Sequence, residues 1–320
     1  MDFGLTIPTR GPLATPESVT TLARRADDLG FANLAAPDHI VVPRRIDSTY
    51  PYSASGVWPG QASGDSFDQF TVLAFVAAVT RKARLVSSVT VVPHRGAVHT
   101  AKLVSTIDVL SNGRVTLGVG AGWMKEEFDA LGAPPFAERG RVTDEYLEAF
   151  KILWTEDDPR LAGKFVNFAN ICFLPKPVQK PHPPIWVGGE SPAAMRRAAR
   201  YGNAWYPIGN NPRYPLDTPE RFAAGAHRLR ELAERNDRDP DTIALTYFCN
   251  WFDESKTVTL DGGRRMLLTG TAEQIANDIS ALGELGVRHL VFNFQRDTLE
   301  RSLDSMQHFV DVIRPLVTLS

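Results

Sequence analysis

The hydrophobic positions of the chain alternate between two periods along almost its whole length. Short apolar runs with period two, the spacing of a strand face, are separated by longer runs with a period near that of a helix, about 3.6 residues. The strand-like runs are Asp2–Pro8, Ala32–His39, Ala83–Val92, Arg114–Gly122, Ile185–Glu190, Asn203–Ile208, Thr242–Phe248 and His289–Phe294. The helix-like runs are Pro16–Gly30, Phe67–Thr80, Val98–Leu110, Glu138–Trp154, Ser191–Gly202, Pro219–Arg235, Thr271–Leu285 and Leu299–Ile313.

This strict alternation predicts an α/β protein with the architecture of a (β/α)8 TIM barrel. A doubly wound open sheet is the alternative that the same alternation allows. Two long connections, about 40–66 and 155–184, interrupt the pattern, and the second holds five prolines between Pro175 and Pro184, which excludes a helix or a central strand there. We therefore predict one domain over residues 1–320, with both insertions at the carboxyl ends of the strands.

Three glycines alternate within the fourth strand-like run. Gly118, Gly120 and Gly122 follow a G-x-G-x-G pattern, whereas a dinucleotide-binding loop requires G-x-G-x-x-G with its third glycine on the helix. Period two places all three glycines on one face of a strand. A strand face without side chains usually marks the close approach of a ligand or of another backbone segment.

Composition and charge exclude several classes of function. A net charge of -2 over 320 residues provides no basic surface for nucleic acid or acidic lipid. Cys172 and Cys249 lie in unrelated contexts, which indicates a reducing compartment and no metal cluster. The chain does not start like a signal peptide, and none of its apolar runs approaches the ~20 residues of a membrane span. We expect a cytoplasmic protein that acts on a small molecule.

The site of such a barrel lies at the carboxyl ends of its strands. There Gly188–Ser191 directly follows a strand and opens a helix, where backbone N–H groups and the helix dipole favour a phosphate. Alternatively, Ser191 and Pro192 only cap the helix. Glu190 argues against an anion at this turn unless its side chain points away.

The sequence contains no pattern typical of metal or nucleophilic catalysis. His39, His94 and His99 are scattered, and the motifs H-x-x-x-H, C-x-x-C and G-x-S-x-G do not occur. The ends of the fourth to eighth strands carry glycine, aromatic or amide residues rather than a pair of acids, apart from Glu190. These features suggest a bound organic cofactor.

Five stretches of the chain resemble the luciferase-like flavin superfamily, which contains flavin-dependent monooxygenases and enzymes that use the deazaflavin coenzyme F-420. They cover most of the chain in family order and are most similar to the deazaflavin-dependent oxidoreductase branch. The stretches are Ala36–Pro43, Leu110–Gly132, Glu138–Trp154, Pro175–Gly189 and Gly270–Phe292.

The resemblance implies where a cofactor binds. It implies an isoalloxazine-type ring in the barrel mouth, in front of a non-proline cis peptide bond between Ser88 and Val89. It further implies a homodimer with barrel helices two and three at the interface. The residues implied to hold the phosphate and tail are Gly120, Ala121, Gly122, Gly188, Gly189, Glu190 and Ser191.

His39 is the main candidate for proton transfer to or from a substrate, with Asp38 either orienting it or binding backbone amides. The alternative is a structural histidine bonded to a loop carbonyl. Arg139 and Arg141 either steady the cofactor or, as we slightly favour, form surface ion pairs with Glu138 and Asp144.

Aromatic side chains are the candidates for the substrate pocket. Some deazaflavin enzymes place a proton-donating glutamate where this chain has Trp123, and that difference argues against sugar-phosphate oxidation. Trp123 is instead interpreted as a pocket wall, or alternatively as a core residue, and Trp58 and Tyr206 complete the predicted pocket. Together with Tyr50 and Tyr52, Trp58 favours an apolar or planar substrate.

These observations predict an oxidoreductase that transfers a hydride between deazaflavin coenzyme F-420 and a small organic substrate. Two alternatives stay open. One is an FMN-dependent monooxygenase that uses oxygen, and the other is a flavin-binding protein without turnover.

Overall fold

The chain forms a closed parallel barrel surrounded by helices. The computed structural model describes residues 1–252 and 254–318. Its strands are β1 (Asp2–Thr6), β2 (Asn33–Ala36), β3 (Arg84–Ser87), β4 (Thr90–Val91), β5 (Val115–Gly120), β6 (Leu161–Ala162), β7 (Asn167–Phe168), β8 (Ile185–Gly188), β9 (Ala204–Tyr206), β10 (Ala244–Cys249) and β11 (Val287–Phe292). All of them belong to the barrel except β6 and β7, which form a small antiparallel hairpin in the second insertion. This insertion runs from the end of a helix, at Thr155, to the start of β8, so it lies at the amino ends of the strands, and its predicted place at the carboxyl ends is wrong.

The barrel strands pair in the order β3-β2-β1-β11-β10-β9-β8-β5, and a further pairing of β3 with β5 closes the ring. The closing register aligns Leu85 with Val115. β4 follows β3 and pairs with the far end of β5, so β3 and β4 are two parts of one of eight strands. The predicted TIM barrel is therefore confirmed, and the open doubly wound sheet is wrong.

The helices lie between successive strands, as the sequence pattern predicts. Most begin at a Ser, Thr or Asp whose side chain accepts a hydrogen bond from the first turn, such as Thr15 before α1 and Thr271 in the capping box of α8. No described helix is long and apolar enough to cross a membrane. The helices are α1 (Pro16–Asp28), α2 (Gln69–Val79), α3 (Ala97–Leu110), α4 (Lys125–Leu131), α5 (Arg139–Thr155), α6 (Pro192–Tyr201), α7 (Pro219–Glu234), α8 (Ala272–Glu284) and α9 (Leu299–His308).

Alternation along the strands divides the core into two layers. Leu34 and Leu85 belong to the layer between barrel and helices, while their neighbours Ala35 and Val86 face the barrel interior. Small interior residues leave room for large rings, which fill the barrel as side chains do in eight-stranded barrels. The interior cluster consists of Ala35, Val86, Trp186, Ala204, Tyr206 and Val291.

Candidate functional site

A cis peptide bond interrupts the strand formed by β3 and β4. It joins Ser88 to Val89, at the position that the family resemblance implies. The Ser88 hydroxyl lies 3.0 Å from the hydroxyl of Tyr206, a buried side chain that packs on Trp186 with 5.3 Å between ring centroids. The predicted pocket residue Tyr206 thus belongs to the floor of the barrel mouth, directly below this bond.

The glycine face of β5 is occupied by the protein itself. A Cβ atom added to Gly118 would lie 1.9 Å from the carbonyl oxygen of Ser87, and one added to Gly120 would lie 2.8 Å from Val89 Cγ2. On the neighbouring strand, a Cβ added to Gly188 would lie 3.0 Å from Val89 Cγ1. Of the two explanations left open by the sequence, close approach of neighbouring protein atoms is the one observed. Val89 therefore covers the Cα atoms of Gly120 and Gly188. A cofactor could still contact the peptide groups of these two glycines.

The turn after β5 is fixed by an arginine. Gly122 has a positive φ of 85°, and its carbonyl oxygen accepts a hydrogen bond from Arg139 Nε at 3.2 Å. Arg139 also donates to the carbonyl oxygen of Phe136 at 3.0 Å. Arg141 pairs with Glu138 at 3.3 Å. The predicted surface ion pair is confirmed for Arg141 and wrong for Arg139, whose guanidinium instead steadies the turn Gly120–Gly122 that includes Ala121.

The turn between β8 and α6 combines a helix cap with a helix N-terminus. Ser191 Oγ accepts from the backbone N–H of Ala194 at 3.2 Å, so the predicted cap is present. Gly189 has a φ of 99°, which favours glycine, and its carbonyl oxygen accepts from Trp205 Nε1 at 2.9 Å. In the first turn of α6, Pro192 has no N–H, and the N–H groups of Ala194 and Met195 bond to Ser191. The N–H of Ala193 and the positive end of the helix dipole are what suits a phosphate there.

Glu190 has its side chain turned into the protein. Its carboxylate accepts hydrogen bonds from the Ile208 N–H at 2.5 Å and from Asn211 Nδ2 at 2.9 Å. Burial raises the pKa of Glu190 to about 7, although these two hydrogen bonds oppose the shift. Glu190 was predicted among the cofactor ligands, but its side chain instead connects the start of α6 to the loop after β9.

His39 is held by a buried glutamate that the sequence analysis missed. His39 Nδ1 lies 2.9 Å from Glu127 Oε2, and Glu127 Oε1 accepts from the Ile40 N–H at 2.7 Å. Burial alone would raise the pKa of Glu127, but the His39 hydrogen bond, the nearby histidines and the Ile40 N–H together lower it. Because the carboxylate accepts at Nδ1, the neutral imidazole carries its lone pair on Nε2, which has no hydrogen-bond partner among the described residues.

Asp38 does not orient His39. Both of its carboxylate oxygens accept from the Arg95 guanidinium at 2.9 Å, and one also accepts from the Val91 N–H at 2.9 Å. Of the two predicted roles for Asp38, binding a backbone amide is confirmed, and orienting the histidine is wrong.

A second buried histidine lies behind the first. His94 Nδ1 is 3.9 Å from Glu127 Oε1, and neither ring nitrogen of His94 has a hydrogen-bond partner. Burial lowers the pKa of His94, which opposes the effect of Glu127. Glu127 is thus flanked by two imidazoles, of which only that of His39 reaches the mouth.

Aromatic rings from the first insertion cover the histidine. The buried Trp58 ring lies 4.3 Å from the His39 ring and 6.2 Å from the Trp123 ring, between centroids. Tyr50 lies 5.1 Å from Trp123. Trp123 is partly buried and contacts the 40–66 insertion, so the structure brings it together with Trp58 and His39 in one wall.

The glutamate that holds His39 lies on α4, a helix of seven residues that the periodic pattern did not separate from the preceding strand. Two acids in its first turn, Glu126 and Glu127, were the available signal, since acids favour helix N-termini. Both bind backbone N–H groups of the 40–66 insertion. No group of three or more metal-ligating side chains is present among residues 1–252 and 254–318.

Comparisons with known proteins agree with this geometry. The luciferase-like monooxygenase family matches residues 1–252. An uncharacterized Mycobacterium bovis protein is 34% identical over 255 residues, 79% of this chain and 82% of that protein. An FMNH(2)-dependent dimethylsulfone monooxygenase of Pseudomonas putida is 32% identical over 172 residues, 53% of this chain and 47% of that protein.

A solved structure has the same fold at lower identity. The coenzyme F-420-dependent tetrahydromethanopterin reductase of Methanopyrus kandleri superposes with a TM-score of 0.74 and 17% identity, over 99% of each chain. At this identity the likeness concerns the fold alone. The family match over residues 1–252 decides membership: the chain belongs to the luciferase-like monooxygenase family, whose members are flavin-dependent oxidoreductases and monooxygenases.

Proposed function

We propose that the protein transfers a hydride between deazaflavin coenzyme F-420 and a small organic substrate. The observation that carries this proposal is the His39–Glu127 pair, which leaves one imidazole nitrogen free beside an aromatic wall. A carbonyl or alcohol that exchanges a hydride must also gain or lose a proton. A histidine fixed in one tautomer is suited to that task.

The barrel mouth fits an organic cofactor. Several buried polar atoms without partners lie after the ends of the strands, and native proteins pair most such atoms. They include Thr9 Oγ1 after β1, Asn210 Oδ1 after β9 and Asn250 Oδ1 after β10. Their spread around the opening supports a ligand with several polar groups.

Some residues of the site would bind the cofactor, and others would transfer the substrate proton. The first turn of α6 would bind the phosphate, and Val89 would support the ring. The cofactor, when bound, supplies the hydride exchange. His39 Nε2 would give or take the substrate proton, Glu127 keeps the imidazole oriented, and Trp58 with Trp123 excludes water.

An FMN-dependent monooxygenase is the second candidate. It is favoured by the 32% identity to the FMNH(2)-dependent dimethylsulfone monooxygenase. The aromatic wall would then protect the reduced cofactor from solvent. His39 keeps the same proton-transfer role in this reading.

Reconstitution with each cofactor tests the proposal. We expect F-420 fluorescence to change on titration with the protein, with a dissociation constant at least about tenfold below that of FMN, a difference of about 1.4 kcal/mol. Tighter binding of FMN, together with oxygen consumption by the FMNH2-loaded protein, would support the second candidate. Binding of neither cofactor would refute both.

His39→Gln separates turnover from binding once an assay is in hand. We expect the rate to fall by roughly 10²-fold or more, since this is the usual contribution of a positioned acid or base. The cofactor dissociation constant should stay within about twofold. An unchanged rate in the folded variant would show that His39 does not transfer the substrate proton.

We also propose a homodimer formed through α2 and α3. These helices expose apolar side chains, with Phe75 of α2 41% exposed and Leu110 of α3 73% exposed. Val98 and Val109 of α3 are exposed as well. Clustered apolar surface of this kind marks association sites. A monomeric mass in sedimentation at micromolar concentration would refute this assembly.

A further inference from the structure

Arg10 carries a positive charge at the barrel mouth and makes no direct ion pair with the described residues. It follows β1 and is partly buried. No hydrogen bond or ion pair of its guanidinium occurs within residues 1–252 and 254–318, and its recorded contact is with the ring of Trp58, 5.0 Å from the ring centroid. The nearby Asp65 carboxylate instead accepts the N–H of Gly11, at 3.1 and 3.2 Å.

The protein itself stabilises the Arg10 charge only weakly. Burial lowers the pKa of Arg10, and the charge of the nearby Asp65 carboxylate only partly opposes that effect. A cation–π contact contributes about 0.5–1 kcal/mol at exposed sites and leaves the donors of the guanidinium unused. The guanidinium is only partly buried, so its unused N–H groups are open to a ligand that enters the mouth.

The arginine lies close to the proposed proton-transfer group. The centroid of the Trp58 ring is 4.3 Å from that of His39 and 5.0 Å from the Arg10 guanidinium carbon. The two groups are therefore at most about 9 Å apart, since both distances end at the same ring. Beside Arg10, the buried hydroxyl of Thr9 also has no partner.

We propose that Arg10 binds a carboxylate of the substrate, and that the substrate is a planar aromatic acid. The planar guanidinium fork matches a carboxylate through two parallel hydrogen bonds. Tyr50 and Trp123 are partly exposed and provide flat apolar surfaces for a ring. A single cation without a second basic partner suits a monoanion better than a phosphate group. This inference rests on the proposed function, because it assigns the substrate class of the same site.

The test compares benzoate with its neutral analogue benzamide by titration calorimetry. Both probes are titrated into the protein with bound cofactor and into the cofactor-free protein. The variants are Arg10→Gln, which removes the charge, and Arg10→Lys, which keeps it. Arg45→Gln is the matched control, because Arg45 is a cation of the 40–66 insertion, to which Trp58 also belongs, and its side chain is 84% exposed.

We expect the wild-type protein to bind benzoate at least about tenfold more tightly than benzamide, in line with a charge-assisted pair. Arg10→Gln should abolish this preference by weakening benzoate alone, whereas Arg10→Lys should retain part of it and Arg45→Gln all of it. Equal binding of the two probes by the wild type, no binding of benzoate, or a preference that survives in Arg10→Gln would overturn the proposal. In that last case Arg10 serves only to hold Trp58.

The two proposals fail separately. If the protein binds neither F-420 nor FMN, the proposed function is refuted, while the benzoate preference of the cofactor-free protein still decides the role of Arg10. If a cofactor binds and the benzoate preference is missing, only the carboxylate proposal is lost.

Discussion

The two sides of the barrel mouth differ in whether their groups are packed against the protein or remain available to a ligand. The glycine side consists of Gly118, Gly120 and Gly188 with the Val89 side chain between them, and its atoms are in close contact. The histidine side consists of His39, Glu127, Trp58, Trp123 and Arg10, and it retains an open imidazole nitrogen and an unpaired guanidinium.

The glycine side determines how closely the strands pack, and the histidine side provides the groups that can bind and react with a ligand. On the glycine side, the absence of side chains lets β3, β4 and β5 approach each other, so substitutions there should act on folding. On the histidine side, polar groups remain available, so substitutions should act on ligands and turnover. Four variants test whether this division holds.

Gly118→Ala should have the largest effect, on stability. Its added Cβ would meet the Ser87 carbonyl oxygen at 1.9 Å, a backbone atom that cannot move aside without displacing β3. We expect a loss of about 3 kcal/mol or more in the free energy of unfolding, measured in urea. Gly140→Ala in α5 is the control, since its nearest contact would be an ordinary 3.5 Å. A Gly118→Ala protein as stable as the control would contradict the packing described here.

Asp38→Asn and His39→Gln should show that two adjacent residues have different roles, with Asp38 contributing more to stability than His39. Removing the Asp38 charge leaves the buried Arg95 with only Asp68 as an acidic partner, and we expect a loss of about 2–3 kcal/mol in unfolding free energy. His39→Gln preserves a donor for Glu127 and should cost about 1 kcal/mol or less. The reverse ranking in thermal or urea unfolding would assign the structural role to His39.

Glu190→Gln should change the pH dependence of stability. The pKa of Glu190 is about 7 in the folded chain, above its ordinary value of 4.5. The protonated side chain therefore favours the folded state fully below about pH 4.5, and this advantage is lost as pH rises through about 7. Relative to Glu190→Gln, the wild type should lose on the order of 2 kcal/mol between pH 4.5 and 8. Parallel stability curves for the two proteins would refute an uncharged Glu190.

Periodicity predicted the barrel because each strand and helix repeats its pattern over several residues. The resemblance located the cis bond at Ser88–Val89, which no local pattern reveals. Side-chain partners were predicted less well. Glu127 is 88 positions from His39, and the orientation of Asp38 toward Arg95 depends on how two loops meet. Such pairings arise from tertiary packing, so a single sequence offers no repeated signal for them.

The proposed function requires that this protein bind F-420, and we propose that the cofactor phosphate binds at the first turn of α6. Ala193→Asp tests this binding most directly. Ala193 is exposed in that turn, where an added carboxylate should stabilise the helix and repel a phosphate. In a fluorescence titration with F-420, we expect Ala193→Asp to raise the dissociation constant at least about tenfold, a loss of about 1.4 kcal/mol. The neutral control Ala193→Asn should stay within about threefold of the wild type. Equal affinities of the Asp and Asn variants would contradict the claim and place the phosphate elsewhere.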